Sequence, residues 1–225
     1  MLFGTEVREK SFYQKESYKE RNLYYKIFAG CLFNELLPEY LANKTAFFDL
    51  LISHTDAKRY VADNVPLKQV LSELARDQIH VTFDFHPMQI IKNYTDRGEV
   101  SDIIIWGDNY FLSIEAKYLS GWSFKKDITE VQQRIKDVGE KVNKQGIQVL
   151  LIQDKKLENA KSKVNQSGSN YKELYDQLSS LPVPVLVITW EEVKGIIKNQ
   201  SVNDYLSEQL RRKVNQSKLS INEIL

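Results

Sequence analysis

Cysteine and histidine are scarce in this sequence, with one cysteine and three histidines among 225 residues. A single cysteine cannot form an internal disulfide and suits a reducing compartment, which excludes a disulfide-stapled secreted domain. Because Cys31 lies in an apolar helical pattern, we interpret it as a core residue. The histidines, His54, His80 and His86, have no spacing typical of metal ligands, which excludes a structural zinc site.

Long hydrophobic runs and an excess of one charge are also missing. No segment approaches the roughly 20 apolar residues that span a bilayer, and the N-terminus lacks the apolar centre of a signal peptide. We therefore expect a soluble cytoplasmic protein with no membrane partner. The chain has 31 basic and 30 acidic residues, a formal net charge of +1. Any binding to a polyanion must therefore come from local patches.

Apolar residues make up 42% of the chain, an ordinary share for a globular core, and 225 residues fit one medium-sized domain. Helical spacing of apolar residues dominates the N-terminal third, and strand-like patterns alternate with helical ones afterwards. The predicted elements are helices over 11–41 (with a break at Pro38), 46–52 and 67–75, strands over 79–85, 100–106 and 110–118, a helix over 127–142, a strand over 147–153, a helix over 171–178, a strand over 183–190, and helices over 191–198 and 203–213.

This order of elements predicts an α/β protein with three layers, in which helices flank a mixed central sheet. We expect a single domain over 1–225. Its parts would be an N-terminal helical elaboration over about 11–76, a catalytic core over about 77–190, and C-terminal helices over 191–225.

Three charged residues stand out in the predicted hairpin, where two apolar strands flank the tight turn Gly107-Asp108-Asn109. Side chains alternate between the faces of a strand, so Glu115 and Lys117 share one face. Asp102, at the start of the neighbouring strand, can reach the same end of the sheet. Buried charge is costly unless it is paired or bound to metal. The hairpin is therefore the candidate site.

Asp102 and Glu115 would repel one another at one end of a sheet, and a divalent cation relieves that repulsion. Mg²⁺ uses one or two protein carboxylates and leaves its other positions to water and substrate phosphate. Such a metal activates a water nucleophile. Lys117 would position that water or offset the extra negative charge of the transition state. These residues predict hydrolysis of a phosphodiester, with Mg²⁺ or Mn²⁺ held by Asp102 and Glu115.

Asp102, twelve intervening residues and then Glu115-Ala116-Lys117 resembles the signature of the PD-(D/E)xK nuclease superfamily. Helix, hairpin, helix and strand follow in that superfamily's order over about residues 18–155. Ser101 stands where the family name has proline, a position that varies widely within it. The resemblance implies a restriction-endonuclease-like fold and an endo- or exodeoxyribonuclease acting on DNA. It also implies a role in restriction, phage defence, repair or mobile-element biology.

The resemblance implies further site residues. Many members place a glutamate on the first helix, where it joins the metal cluster; Glu20 is the first candidate and Glu35 the fallback. Some members place a glutamine on the helix after the Glu-x-Lys pair, which here is Gln132, with Gln133 as the neighbouring alternative.

Lys125 and Lys126 follow the candidate site and are candidate contacts to DNA phosphates, although a solvated face also explains them. An ion pair on a solvated face would likewise explain Glu115 and Lys117. Ile103-Ile104-Ile105, however, indicates a central strand, where solvated faces are scarce.

Two other hypotheses remain beside the nuclease. A module of the same fold would bind nucleic acid or act as a scaffold without cutting. The near-neutral net charge favours it, or a homodimer or partner subunit that supplies DNA affinity. An unrelated α/β protein would be indicated if Asp102 and Glu115 lay too far apart to share a cation.

Overall fold

The computed structural model describes residues 23–56, 66–94, 101–117, 130–153, 181–208 and 210. Its helices are α1 (Tyr25–Leu32, with π-helical hydrogen bonding), α2 (Tyr40–Asp56), α3 (Leu67–Arg76), α4 (Glu130–Val142), α5 (Trp190–Ile196) and α6 (200–208). Its strands are β1 (His80–Phe85), β2 (Ser101–Trp106), β3 (Tyr110–Lys117), β4 (Gln145–Ile152) and β5 (Val185–Thr189).

The five strands form one mixed sheet in the order β1-β2-β3-β4-β5. β1 and β2, like β2 and β3, are antiparallel, whereas β3 and β4, like β4 and β5, are parallel. Parallel neighbours need a crossover connection, and the segment between β3 and β4 contains α4. Helices lie on both sides of the sheet, so the predicted α/β class with a mixed central sheet is confirmed.

The two faces of the sheet carry different cores. One face belongs to a large apolar cluster to which α1, α2, α3 and α5 contribute, and its β3 members are Leu112, Ile114 and Ala116. On the opposite face α4 packs against a smaller cluster that includes Phe111 of β3. Because side chains alternate along β3, Glu115 and Lys117 lie on the α4 side of the sheet.

The predicted helical segment over 11–41 breaks earlier than Pro38, where the break was expected. α1 ends at Leu32, and α2 begins only at Tyr40. Between them the Asn34 side chain accepts a hydrogen bond from the main-chain N–H of Leu36 at 3.0 Å. Such side-chain bonds to nearby backbone compete with helical ones and favour turns.

The predicted strand over 183–190 also ends earlier than expected. The Thr189 hydroxyl accepts from the main-chain N–H of Glu192, and the Glu192 carboxylate accepts from the N–H of Thr189. This capping box starts α5 at Trp190, so that the tryptophan is helical. The other predicted strands, and the helices over 46–52 and 67–75, are present; residues 11–22 and the helix over 171–178 lie outside the described residues. No helix in the described ranges is long and apolar enough to cross a membrane.

Candidate active site

The open end of the β2–β3 hairpin brings Asp102 and Glu115 together. Ile103 pairs with Ile114 in the antiparallel register, so Asp102 lies across from Glu115 one position further on. There the Oδ2 atom of Asp102 accepts a hydrogen bond from the main-chain N–H of Ala116 at 2.8 Å. The Asp102 carboxylate is thereby held against β3, at the residue that follows Glu115.

The charge of Asp102 is unfavourable in this position. Burial raises its pKa well above the ordinary value, and the neighbouring charge of Glu115 raises it further. The N–H of Ala116 and the ammonium of Lys117 act in the opposite direction, and the charge of Asp84 adds to the increase. The charge of Glu115 is therefore close enough to disfavour ionisation of Asp102, which is the condition that a bound cation would relieve.

Glu115 and Lys117 form an ion pair on the α4 side of the sheet. The Lys117 Nζ lies 2.5 Å from the Glu115 Oε1, and the two side chains are 19% and 10% exposed. An ion pair removed this far from water has lost much of its hydration, so its geometry is held by direct contact. Lys117 is thus oriented by Glu115 and lies beside the two carboxylates.

The oxygen donors at this end of the hairpin fit a hard divalent cation. Asp102 and Glu115 supply carboxylate oxygens, the ligands that Mg²⁺ and Mn²⁺ prefer. Across the described part of the chain, no three His, Cys, Asp or Glu side chains are placed to hold a metal ion together. The described residues thus offer a cation two carboxylates, Asp102 and Glu115. Mg²⁺ is commonly bound by one or two carboxylates, with water and phosphate completing its shell.

Gln132 projects from α4 towards the sheet, as its phase in the sequence predicts, and is 4% exposed. Its Nε2 donates to the Gln148 Oε1 of β4 at 2.7 Å, and its Oε1 accepts from the main-chain N–H of Val183 at 2.8 Å. Both ends of the amide are therefore engaged within the protein. Gln133, the alternative, is exposed and donates to Asp137 at 2.6 Å.

Polar side chains continue from Gln132 across the α4 side of the sheet. Gln148 lies beside Ser113 in the parallel register of β3 and β4. The Ser113 hydroxyl in turn lies 3.0 Å from the hydroxyl of Ser101, the residue before Asp102. One buried hydrogen bond thus joins α4 to β4, and the other joins β2 to β3 beside the Asp102–Glu115 pair.

Asp84 is a third acid near the site, and it was missed from the sequence. Its main-chain φ of 49° lies in the left-handed region, which is uncommon for residues other than glycine. The hydroxyls of Tyr24 and Tyr25 donate to its Oδ1 and Oδ2 atoms at 2.7 and 3.0 Å. The one available signal was an acid between two phenylalanines in a predicted strand. The tyrosines that bind it are far away in the sequence.

Of the remaining predicted residues, Glu35 is the one that the structure describes, and it lies away from this cluster. Glu20, Lys125 and Lys126 lie outside the described residues. Glu35 is exposed in the turn after α1 and lines a cavity with Asp77. Since the Asp77 carboxylate accepts from the N–H of Asp108 in the β2–β3 turn, Glu35 belongs to the opposite end of the hairpin. Glu35, the fallback acid, is therefore not brought to the Asp102–Glu115 pair.

Comparison with known proteins gives no match: no family model, no curated protein and no solved structure matches this chain.

Proposed function

We propose that this protein is a Mg²⁺- or Mn²⁺-dependent nuclease of the PD-(D/E)xK type that hydrolyses phosphodiester bonds in DNA. The observation that carries the proposal is the apposition of Asp102 and Glu115, with Lys117 ion-paired to Glu115 at 2.5 Å. Two carboxylates that can hold a metal and a lysine beside them suit metal-dependent phosphodiester hydrolysis.

The architecture supports the same proposal. An antiparallel hairpin carries the acid and the Glu-x-Lys pair, a helix follows on one face of the sheet, and the next strand is parallel to the hairpin's second strand. This is the order of elements that the resemblance implies. We therefore infer a restriction-endonuclease-like core around β1–β4.

Each residue of the site has a distinct task in this proposal. Asp102 and Glu115 would hold the cation, which supplies an activated water and neutralises charge on the phosphate when bound. Lys117, oriented by Glu115, would donate hydrogen bonds to the phosphoryl oxygens as negative charge develops on them. Gln132 would keep α4 and β4 in register with the site through its two buried hydrogen bonds.

A module of the same fold that binds nucleic acid without cutting it is the second candidate. The direct Lys117–Glu115 contact favours it, because the charge of the lysine is already balanced by its own glutamate. The formal net charge of +1 favours a homodimer or a partner subunit that supplies DNA affinity.

Cleavage assays separate the two candidates. Wild-type protein and the Lys117→Ala variant are incubated with linear, circular and single-stranded DNA in Mg²⁺, in Mn²⁺ and in chelator. We expect wild type to cut in either metal and not in chelator, and Lys117→Ala to cut at least about a hundredfold more slowly, the typical effect of losing one group that stabilises the transition state.

The matched control is Lys198→Ala, which removes an exposed lysine distant from the hairpin in sequence and should leave the rate unchanged. Equal cleavage by wild type and Lys117→Ala would contradict the proposed role of Lys117 in hydrolysis. Binding of DNA by both proteins, with no cleavage in either metal, would favour the non-cutting module.

A further inference from the structure

A second candidate site lies at the turn end of the β2–β3 hairpin. A cavity of about 620 Å³ opens there between the start of α2 and the end of α3. Asp77, at one edge of it, accepts a hydrogen bond from the N–H of Asp108 in the hairpin turn at 2.8 Å. Asp102 lies five residues before that turn begins, about 17 Å along an extended strand. The cavity is therefore separate from the Asp102–Glu115 pair.

Lys44 contributes a buried positive charge to this cavity. The side chain lines the cavity although the residue is only 8% exposed, and its Nζ donates to the main-chain oxygen of Asp77 at 2.5 Å. An ammonium has three N–H donors. Within the described ranges that carbonyl is its one hydrogen-bond acceptor, and none of the described carboxylates forms an ion pair with it. A buried charge with unused donors is costly, and an anion in the cavity would remove that cost.

The surroundings of Lys44 favour an anion at one end of the cavity. Burial lowers the pKa of Lys44, against the charges of Asp77 and Glu35, so an anionic ligand would restore its charged form. Arg76 lines the same cavity, as does Tyr40, the first residue of α2, and the start of a helix attracts negative charge. Of the two acids, Asp77 is engaged with the hairpin turn, and Glu35 is exposed.

Apart from the polar Gln78, the rest of the wall is apolar. Leu37, Pro38 and Leu41 line the cavity, and Leu41 is 70% exposed. Large exposed apolar side chains beside a concave surface are typical of ligand sites, where they cover the apolar part of the ligand. A ligand with an anionic head group and an apolar body could thus place the head group near Lys44 and the body against the apolar side chains.

We propose that this cavity binds a small organic anion, with a carboxylate or phosphate head group against Lys44 and an apolar body against Leu37 and Leu41. The proposal does not depend on nuclease activity, since the cavity shares no residue with the hairpin's open end.

Calorimetric titration of the full chain tests this site. The probes are hexanoate, phenyl phosphate and inorganic phosphate, at one ionic strength set with chloride. We expect at least one of the two organic anions to bind saturably, and inorganic phosphate to bind at least about tenfold more weakly because it has no apolar surface to bury. The organic anion that binds more tightly identifies the head group.

The Lys44→Met variant should bind that organic anion at least about tenfold more weakly, as expected for loss of a charged hydrogen bond. Its thermal unfolding midpoint should not fall, because methionine retains the aliphatic chain without burying a charge. Lys198→Met, at an exposed lysine, is the control and should bind as wild type does.

Leu41→Glu is a second variant, at a side chain too exposed to matter for folding. It should weaken binding by repulsion even if Lys44→Met does not fold. Failure of both organic anions to bind wild type would overturn the proposal, as would equal binding by wild type and Leu41→Glu. Loss of DNA cleavage in the Lys117 variant has no bearing on these titrations. The two proposed sites are therefore tested independently.

Discussion

Asp102 is the residue at which function and stability oppose one another. Its carboxylate is partly buried beside Glu115, and both features raise its pKa. The unfolded chain ionises this group near the ordinary value of 3.8, and the folded protein only at a higher pH. Between the two values the folded state binds more protons, so stability falls as pH rises across that interval. Above the folded pKa the full penalty is present.

The Asp102→Asn variant should therefore be more stable than wild type at neutral pH. Asparagine keeps an oxygen that can accept from the N–H of Ala116, and it removes the unfavourable charge. We expect a gain on the order of 1 kcal/mol in the free energy of unfolding, measured with urea at pH 7. The gain should shrink as pH approaches 3.8, where the unfolded carboxyl takes up its proton.

The control for that measurement is Asp49→Asn, which removes an exposed acid from α2 and should change stability by less than about 0.5 kcal/mol. A destabilised Asp102→Asn protein at pH 7 would contradict the assigned electrostatics.

For the Glu115–Lys117 pair we expect the opposite effect: removing one charge should lower the free energy of unfolding. Glu115→Gln takes the carboxylate away from a lysine that is 19% exposed, so we expect a loss of about 2 kcal/mol in the free energy of unfolding. The double variant Glu115→Gln/Lys117→Met should recover most of that loss, since it removes both charges. Urea unfolding at pH 7 measures both.

An exposed ion pair on α4 provides the comparison. Lys136 and Glu140 lie 3.9 Å apart with side chains 55% and 69% exposed, so Glu140→Gln should cost less than about 0.5 kcal/mol. If Glu115→Gln cost no more than Glu140→Gln, the hairpin pair would be an ordinary surface contact.

At the scale of elements, α4 is fixed to the sheet by Gln132. Removing its side chain with Gln132→Ala leaves the Gln148 amide oxygen and the Val183 N–H buried without their partner. Each such loss costs about 1 to 3 kcal/mol, so we expect a total of about 2 to 6 kcal/mol by urea unfolding.

Gln133→Ala is the matched control, one residue away on the exposed side of the same helix, and should change stability by less than about 0.5 kcal/mol. Equal effects of the two substitutions would refute a structural role for Gln132.

The elements that could be predicted from the sequence are those whose defining residues lie within the element itself. β2, β3 and β4 were predicted because apolar residues and turn signals within each segment define them, and the face shared by Glu115 and Lys117 followed from strand alternation. The break after α1 was predicted at Pro38, but the helix already ends at Leu32, because the turn that follows rests on a local bond to Asn34 that apolar spacing does not reveal. The position of Trp190 likewise depends on the capping box of Thr189 and Glu192.

At the scale of the whole molecule, the features that the sequence could not predict are those made by distant segments. Asp84 is held by two tyrosines that are 60 and 59 residues away in the sequence. Lys44 meets the main chain of Asp77 only because α2 and α3 pack together. Glu35 was assigned to the first helix, but it leaves the site because α1 ends before it.

The central claim is that Asp102 and Glu115 bind one divalent cation together. Titration of the 225-residue chain with Mn²⁺, followed by the electron paramagnetic resonance signal of the free ion, measures this directly. The account predicts saturable binding to wild type at a site that Mg²⁺ competes for, at least about tenfold weaker binding to Asp102→Asn and to Glu115→Gln, and undiminished binding to Lys117→Met. Wild-type affinity in either carboxylate variant, or no Mn²⁺ binding by wild type, would contradict it.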